Sequence, residues 1–159
     1  MSFIALGLGS NRSYDGKTPR EILGCACREL SVRIHNMKPS SIYKTQAMYL
    51  EDQDDFYNMV VCGQFDGSAR ELLDFIHDVE ALYGRDRSKE IRNGPRPLDI
   101  DIELFGDQCI TEEDLVIPHE RLQERAFVLV PLVEVEPSFA ERYREALKKV
   151  SDQKIQRVG

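Results

Sequence analysis

Residues 92–106 read RNGPRPLDIDIELFG. Leu98, Ile100, Ile102 and Leu104 alternate with Asp99, Asp101 and Glu103. A period of two predicts a strand with one apolar face and one acidic face. The apolar face needs a covering layer, and the flanking sequence offers helices for it. Thr18-Pro19-Arg20-Glu21 is a capping box with proline in the first turn, and it predicts a helix to about Leu30. Ser68-Ala69-Arg70-Glu71 is a second capping box. Its helix carries Leu72, Leu73, Ile76, Val79 and Tyr83 at helical spacing, and Gly84 ends it. Phe3–Leu8, His35–Gln46 with a break near Pro39-Ser40, Tyr57–Phe65 and Val128–Val135 are all expected to be extended. Pro118-His119 opens a short turn, and Pro137-Ser138 starts a last helix with the stripe Phe139, Tyr143, Leu147 and Val150. Strands and helices interleave, and hairpin-like neighbours are common. The reading is one α+β domain over residues 1–159, a mixed or antiparallel sheet with helices packed on it.

Composition narrows the classes of function. The chain has 159 residues, 42% of them hydrophobic, which suits one domain with a real core. A net charge of -7 disfavours broad contact with nucleic acid or an anionic membrane surface. No apolar run approaches the roughly 20 residues of a membrane span. The opening MSFIALGLGSN lacks the basic region and cleavage pattern of a signal peptide, so a cytoplasmic protein is expected. Cys25, Cys27, Cys62 and Cys109 show no zinc-knuckle spacing and are expected to be buried and reduced.

The acidic face carries the candidate chemistry. Asp99 and Asp101 share it, about 6.8 Å apart at ordinary strand rise. Two carboxylates so placed repel each other unless solvent, basic neighbours or a hard divalent cation offsets the charge. The loop before them, Gly84–Pro97, holds Arg85, Arg87, Lys89, Arg92 and Arg96 against only Asp86 and Glu90. Guanidinium forks suit phosphate oxygens. A basic loop beside paired carboxylates describes a polyphosphate held by metal and arginine together; a solvated loop with surface ion pairs is the plainer alternative. Clustered like charge and little apolar content over Gly84–Asn93 predict a segment that a bound nucleotide orders. Gly7-Leu8-Gly9-Ser10-Asn11 follows a strand but matches neither a dinucleotide fingerprint nor a Walker loop. His119, near Arg121 and Arg125, fits a phosphate site or an ordinary surface histidine. His77 and Glu80 are expected on a polar helix face. Phe56 and Phe127 suit core packing as well as ligand stacking. Glu103 reads as a rim residue.

Taken together these segments resemble one family, the 6-hydroxymethyl-7,8-dihydropterin pyrophosphokinases of folate biosynthesis. The resemblance rests on Ala5–Asn11, Ser41–Thr45, Asp55–Asn58, Gly84–Arg87, Gly94–Ile102 with Leu104–Gly106, Val116–His119 and Arg125–Leu129. It implies a ferredoxin-like fold and transfer of pyrophosphate from ATP, with AMP leaving. By the same resemblance Asp99 and Asp101 would bind two magnesium ions. Arg85, Arg96 and Arg87 would handle phosphate charge. His77, Glu80, Ile102, His119 and Arg125 would belong to the nucleotide side. Phe56 and Phe127 would sandwich the pterin, with Thr45, Met48 and Asn58 along its polar edge. The partners implied are small molecules, with no nucleic acid and no membrane, and a monomer is expected. The chain has no tryptophan, where the resemblance puts one near Asn93, and Asp114 and Val116 stand where arginine and threonine occur in some members. A metal-dependent nucleotidyl transferase or nuclease, and a catalytically silent pterin-binding or nucleotide-binding paralogue, are the alternatives.

Overall fold

The structure is a computed structural model that describes residues 1–46, 54–85 and 96–159. Met48, Arg87 and the segment 86–95 of the arginine loop lie outside the described residues. Within them, the first strand is β1 (Ser2–Ser10). It leads to α1 (Pro19–Leu30), capped by Thr18 and Glu21 in a reciprocal capping box. Two short strands follow, β2 (Ile34–Pro39) and β3 (Tyr43–Thr45), and then the long β4 (Phe56–Phe65). The second capping box, Ser68 with Glu71, starts α2 (Ala69–Ala81). The acidic stretch forms β5 (Asp99–Phe105). With β2 and β3 pairing in turn along β4 as one broken strand, the pairing of β5 with β1 completes a β-α-β-β-α-β core.

The sheet order is β5-β1-β4-β3, with β2 also on β4, and every pair is antiparallel. This is the ferredoxin-like arrangement. A hairpin of β6 (Ile110–Glu112) and β7 (Leu115–Ile117) stands apart from the sheet. One sheet face packs Ile4, Leu6, Leu8, Ile100 and Ile102 against α1 and α2. The other face, carrying Ala5, Val60, Cys62 and Leu104, is covered by the C-terminal helices.

Those helices correct one expectation. Residues 126–135 form a helix, α3 (Ala126–Val135), where an extended segment was expected. The valines favour a strand and Pro131 disfavours a helix interior, but the segment is apolar on all sides and sits against the sheet. Burial overrides propensity. Tertiary partners supply what the local sequence lacks. The Gln153 side chain accepts from the Ala126 N–H at 2.9 Å and donates to the Glu124 carbonyl at 2.8 Å. Glu134 accepts from the Ser41 N–H and hydroxyl and from the Tyr43 hydroxyl, at 2.8, 2.9 and 2.6 Å, which pins α3 to β3. The last helix is broken at Tyr143 into α4 (Phe139–Arg142) and α5 (Arg144–Lys149), and β8 (Ile155–Arg157) then adds to β3.

Two further corrections concern single residues. The register of β5 on β1 shifts between Ala5 and Leu6, so Glu103 is an extra residue in the ladder. Past this bulge the alternation inverts, and Leu104 joins the α3 side instead of the face shared by Leu98, Ile100 and Ile102. Of the four cysteines only Cys62 is fully buried, and Cys109 is exposed.

Candidate active site

Strict alternation along β1 and β5 places Gly7, Gly9, Asp99 and Asp101 on the α3 face. There they line a cleft of about 670 Å³, partly open to solvent. Its far walls are Thr45 of β3, Phe56 and Asn58 of β4, and Phe127 of α3. Glycine matters where the strands crowd the cleft floor. A Cβ at Gly9 would lie 2.9 Å from Asn58 Oδ1, and one at Gly7 would lie 2.7 Å from Glu103 Oε1. Asn58 and Thr45 are both buried, and the Asn58 amide donates to Thr45 Oγ1 at 2.8 Å. Phe56 and Phe127 are half-buried, each presenting an edge or face to the cleft. The Arg125 guanidinium lies 5.4 Å from the Phe127 ring centroid, in cation–π range.

The charged wall is a chain of ion pairs. Arg85 is buried and donates to Glu80 Oε2 at 2.5 Å and to Asp99 Oδ1 at 2.7 Å; Arg96 reaches the same Asp99 oxygen at 3.2 Å. Burial disfavours the Asp99 anion, yet the charges of Arg85 and Arg96 prevail and hold its carboxyl below the usual range. Asp101 has weaker support, with His119 Nε2 and an Arg125 nitrogen each at 3.7 Å. Burial, then the nearby Asp99, pushes its carboxyl up to about 7. His119 is pulled down to about 4 by burial and by Arg125. Its Nδ1 accepts the Arg121 N–H at 3.1 Å, so the neutral ring carries its proton on Nε2, facing Asp101.

A second cavity, about 700 Å³ with its open margin, lies on the other side of Asp101. It brings together His77, Ile102 and His119 from the expected nucleotide group, beside the apolar Leu73, Ile100 and Val116. Two members of that group are elsewhere. Arg125 lines the first cleft. Glu80 does not share an exposed polar face with His77. It is 1% exposed, and Oε2 takes the Ile100 N–H at 2.8 Å as well as Arg85. Sequence reasoning also placed Glu103 on the rim, but it is 1% exposed on the cleft wall, and burial raises its carboxyl well above the usual range. Asn11, given no role of its own within the glycine loop, is a tether in the structure. It exchanges backbone and side-chain hydrogen bonds with Arg96 and donates to the Asp54 carbonyl at 3.1 Å, tying the glycine loop to both neighbouring segments. Its position after a strand-ending Gly-Ser was the available signal.

Comparison with known proteins gives a consistent picture. Residues 5–137 match the family described as 7,8-dihydro-6-hydroxymethylpterin-pyrophosphokinase (HPPK). A Bacillus subtilis protein named 2-amino-4-hydroxy-6-hydroxymethyldihydropteridine pyrophosphokinase is 38% identical over 137 residues, covering 85% of this chain and 77% of that protein. A protein of the same name from Methylorubrum extorquens is 37% identical over 163 residues, covering 99% of both. The mitochondrial folate synthesis bifunctional protein of Arabidopsis thaliana is 39% identical over 133 residues, and the match covers only 23% of its length. Among solved structures, wild-type Plasmodium falciparum HPPK-DHPS superposes with a TM-score of 0.69 at 14% identity, over 95% of this chain and 46% of that one. That likeness supports the fold.

Proposed function

The chain belongs to the 7,8-dihydro-6-hydroxymethylpterin-pyrophosphokinase family, and from that premise we propose which of its groups carry the reaction. The enzyme transfers pyrophosphate from ATP to the hydroxymethyl group of the dihydropterin in folate synthesis. The hydroxymethyl oxygen bonds to the β-phosphorus, the bond from that phosphorus to the α–β bridging oxygen breaks, AMP leaves, and the hydroxyl proton is released.

The observation that carries the assignment is the pair of cavities that share Asp101. The first has the shape and lining for a flat heterocycle. Phe56 and Phe127 stack on it, and Thr45 and Asn58 meet its polar edge. Met48, outside the described residues, is proposed for the same edge. The second cavity takes the nucleoside, with Ile102 packing the base and His77 and His119 at its polar margin. The triphosphate then crosses the carboxylate wall. Arg96 binds phosphate oxygens there, and Arg87 is proposed to join it. Arg85 is committed to Glu80 and Asp99. We assign it to positioning Asp99, with its charge felt through that carboxylate.

Magnesium fits this wall. Asp99 and Asp101 offer hard oxygen donors, and the raised Asp101 carboxyl marks a repulsion that a divalent cation relieves. Among the described residues no three His, Cys, Asp or Glu side chains converge as a metal centre, so phosphate oxygens and water would complete the shells of two ions. When bound, the ions would neutralise triphosphate charge and polarise the phosphorus. The chain's own contribution is alignment. The Phe56–Phe127 sandwich presents the hydroxymethyl group at the carboxylate wall, and His119, neutral, donates toward it without adding a proton. We read the enzyme as a cytoplasmic monomer acting on small molecules, with no role for nucleic acid or membrane. The net charge of -7 supports that reading, and no described helix is long and apolar enough to cross a membrane.

AMP release from ATP, magnesium and the reduced pterin tests the assignment. Phe127→Ala should raise KM for the pterin, and His119→Ala should raise KM for ATP. The reverse pattern would overturn the allocation of the two cavities.

A further inference from the structure

Glu103 is 1% exposed, yet among the described residues neither oxygen of its carboxyl has a hydrogen-bond partner. Leaving a buried polar group unpaired is costly, and such groups are rare in native proteins. Two features show that this one is accommodated. Strand alternation sets Glu103 on the cleft side with Asp99 and Asp101, and the β5 bulge falls at Glu103 itself, so that Leu104 follows it onto the same side. Gly7, directly beneath, supplies the space, since a Cβ there would lie 2.7 Å from Glu103 Oε1. The carboxyl therefore lies on the cleft wall above Gly7, within the field of Arg125, and a ligand in the cleft is an available source of a donor.

Topology indicates which donor. Asn58 and Thr45 lie on the β4 side of β1, and Asp99, Asp101 and Glu103 lie on the β5 side. A pterin with its aminopyrimidine edge toward Asn58 and Thr45 turns its second ring toward β5. That ring carries the hydroxymethyl carbon, which must reach Asp101, and in the 7,8-dihydro state it also carries a ring N–H. Full oxidation removes this hydrogen and leaves a bare lone pair. We infer that Glu103 is a specificity-determining residue, whose carboxyl accepts the hydrogen bond of the reduced ring N–H and so selects dihydropterin over the oxidised heterocycle. The inference rests on the reading of the first cleft as the pterin site. In either protonation state the carboxyl offers an oxygen that accepts the ring N–H, whereas the oxidised ring brings no hydrogen and can be met only by a carboxyl that keeps its own proton.

The test measures calorimetric Kd values for 6-hydroxymethyl-7,8-dihydropterin and for its fully oxidised counterpart, with magnesium and a non-hydrolysable ATP analogue present. The wild type, Glu103→Met, Glu103→Gln and Phe127→Ala are compared. The wild type should prefer the reduced ligand by about ten-fold, the scale of one hydrogen bond to a buried partner. Glu103→Met should lose that preference while binding the ATP analogue as before. Glu103→Gln carries an acceptor and a donor, so it should hold the reduced ligand nearly as tightly and admit the oxidised one, narrowing the preference, which a purely structural role for the carboxyl would not explain. A wild type indifferent to ring oxidation, or a Met variant with the wild-type preference, would overturn the inference. If Phe127→Ala weakens both pterins and Glu103→Met changes neither, the cleft reading stands and the role of Glu103 falls. If Phe127→Ala changes neither pterin, the cleft reading itself falls, and the inference with it.

Discussion

The two flanks of β1 solve the problem of buried polarity in opposite ways. On the β4 flank the polar groups satisfy one another, as the Asn58 amide does with Thr45 at 2.8 Å. On the β5 flank three carboxylates, Asp99, Asp101 and Glu103, stand in a row and differ sharply in support. Among the described residues Asp99 has the Arg85 and Arg96 guanidinium groups, Asp101 has ion pairs at 3.7 Å to His119 and Arg125, and the Glu103 carboxyl has no hydrogen bond. A self-satisfied flank is a binding surface already in its final shape. A flank with unresolved charge is one whose partners are to arrive with the ligand. Unresolved local conflicts in an otherwise consistent fold concentrate where function needs them.

The strongest way to break this contrast is to delete the carboxylates. Asp99→Ala or Asp101→Ala should each lower turnover by about a thousand-fold or more, the scale for losing electrostatic support of transferring charge. Asp101→Ala should fold at least as stably as the wild type, because it removes one member of a repelling pair. Initial rates of AMP release and thermal midpoints of the apo protein check both halves. Turnover near wild type would end the metal-site assignment.

Deleting a cation from the same flank should do the reverse. Arg85→Ala takes its guanidinium partner from Glu80, which is 1% exposed. A loss of about 3 kcal/mol in urea unfolding is expected, the usual cost of breaking a buried pair. A loss below about 1 kcal/mol would show that the Ile100 N–H and the other neighbours of Glu80 sustain its carboxylate without Arg85.

The contrast also has a pH signature. Folded Asp101 titrates at about 7, against about 4 for an unfolded aspartate. Between these values the folded chain holds a proton that the unfolded chain has released, so this group's contribution to stability falls as pH rises from about 4 to about 7. His119, at about 4 when folded and about 6.5 when unfolded, acts in the opposite direction below pH 6.5. Asp101→Asn removes only the first term. Its thermal midpoint should gain on the wild type as pH rises from 4 to 7, and no further above. A difference independent of pH would mean that Asp101 is ordinarily solvated.

The smallest effect belongs to the satisfied flank. Thr45→Val removes the acceptor of the Asn58 amide and should cost about 1 kcal/mol of stability. Its sign is opposite to that expected for Asp101→Ala, and a stabilising Thr45→Val would erase the difference between the flanks.

Much of this was legible in local sequence. The two capping boxes at Thr18 and Ser68 start helices where expected, since a cap is a contact between residues three apart. The alternation of residues 98–102 set Asp99 and Asp101 on one face, because a strand has a two-residue period whatever surrounds it. Gly84 ends the second helix with φ of 74°, as its residue type suggests. Phe56, Asn58, Phe127 and Thr45 gather in one cleft as the family resemblance implied.

What the sequence by itself determined are the features written in short-range periodicity and residue chemistry: the caps, the strand faces, the α+β order and the acidic row beside arginines. Only the tertiary structure decided that residues 126–135 are helical, because their cap comes from Gln153 and their anchor from Ser41 and Tyr43. Only it decided that Glu80 lies beneath Asp99, since that needs Arg85 folded back between them. The burial of Glu103 on the acidic face likewise depends on distant contacts, the pairing with β1 and the missing side chain of Gly7. In each case the deciding partner is far away in the chain, and local periodicity carries no information about burial between distant segments.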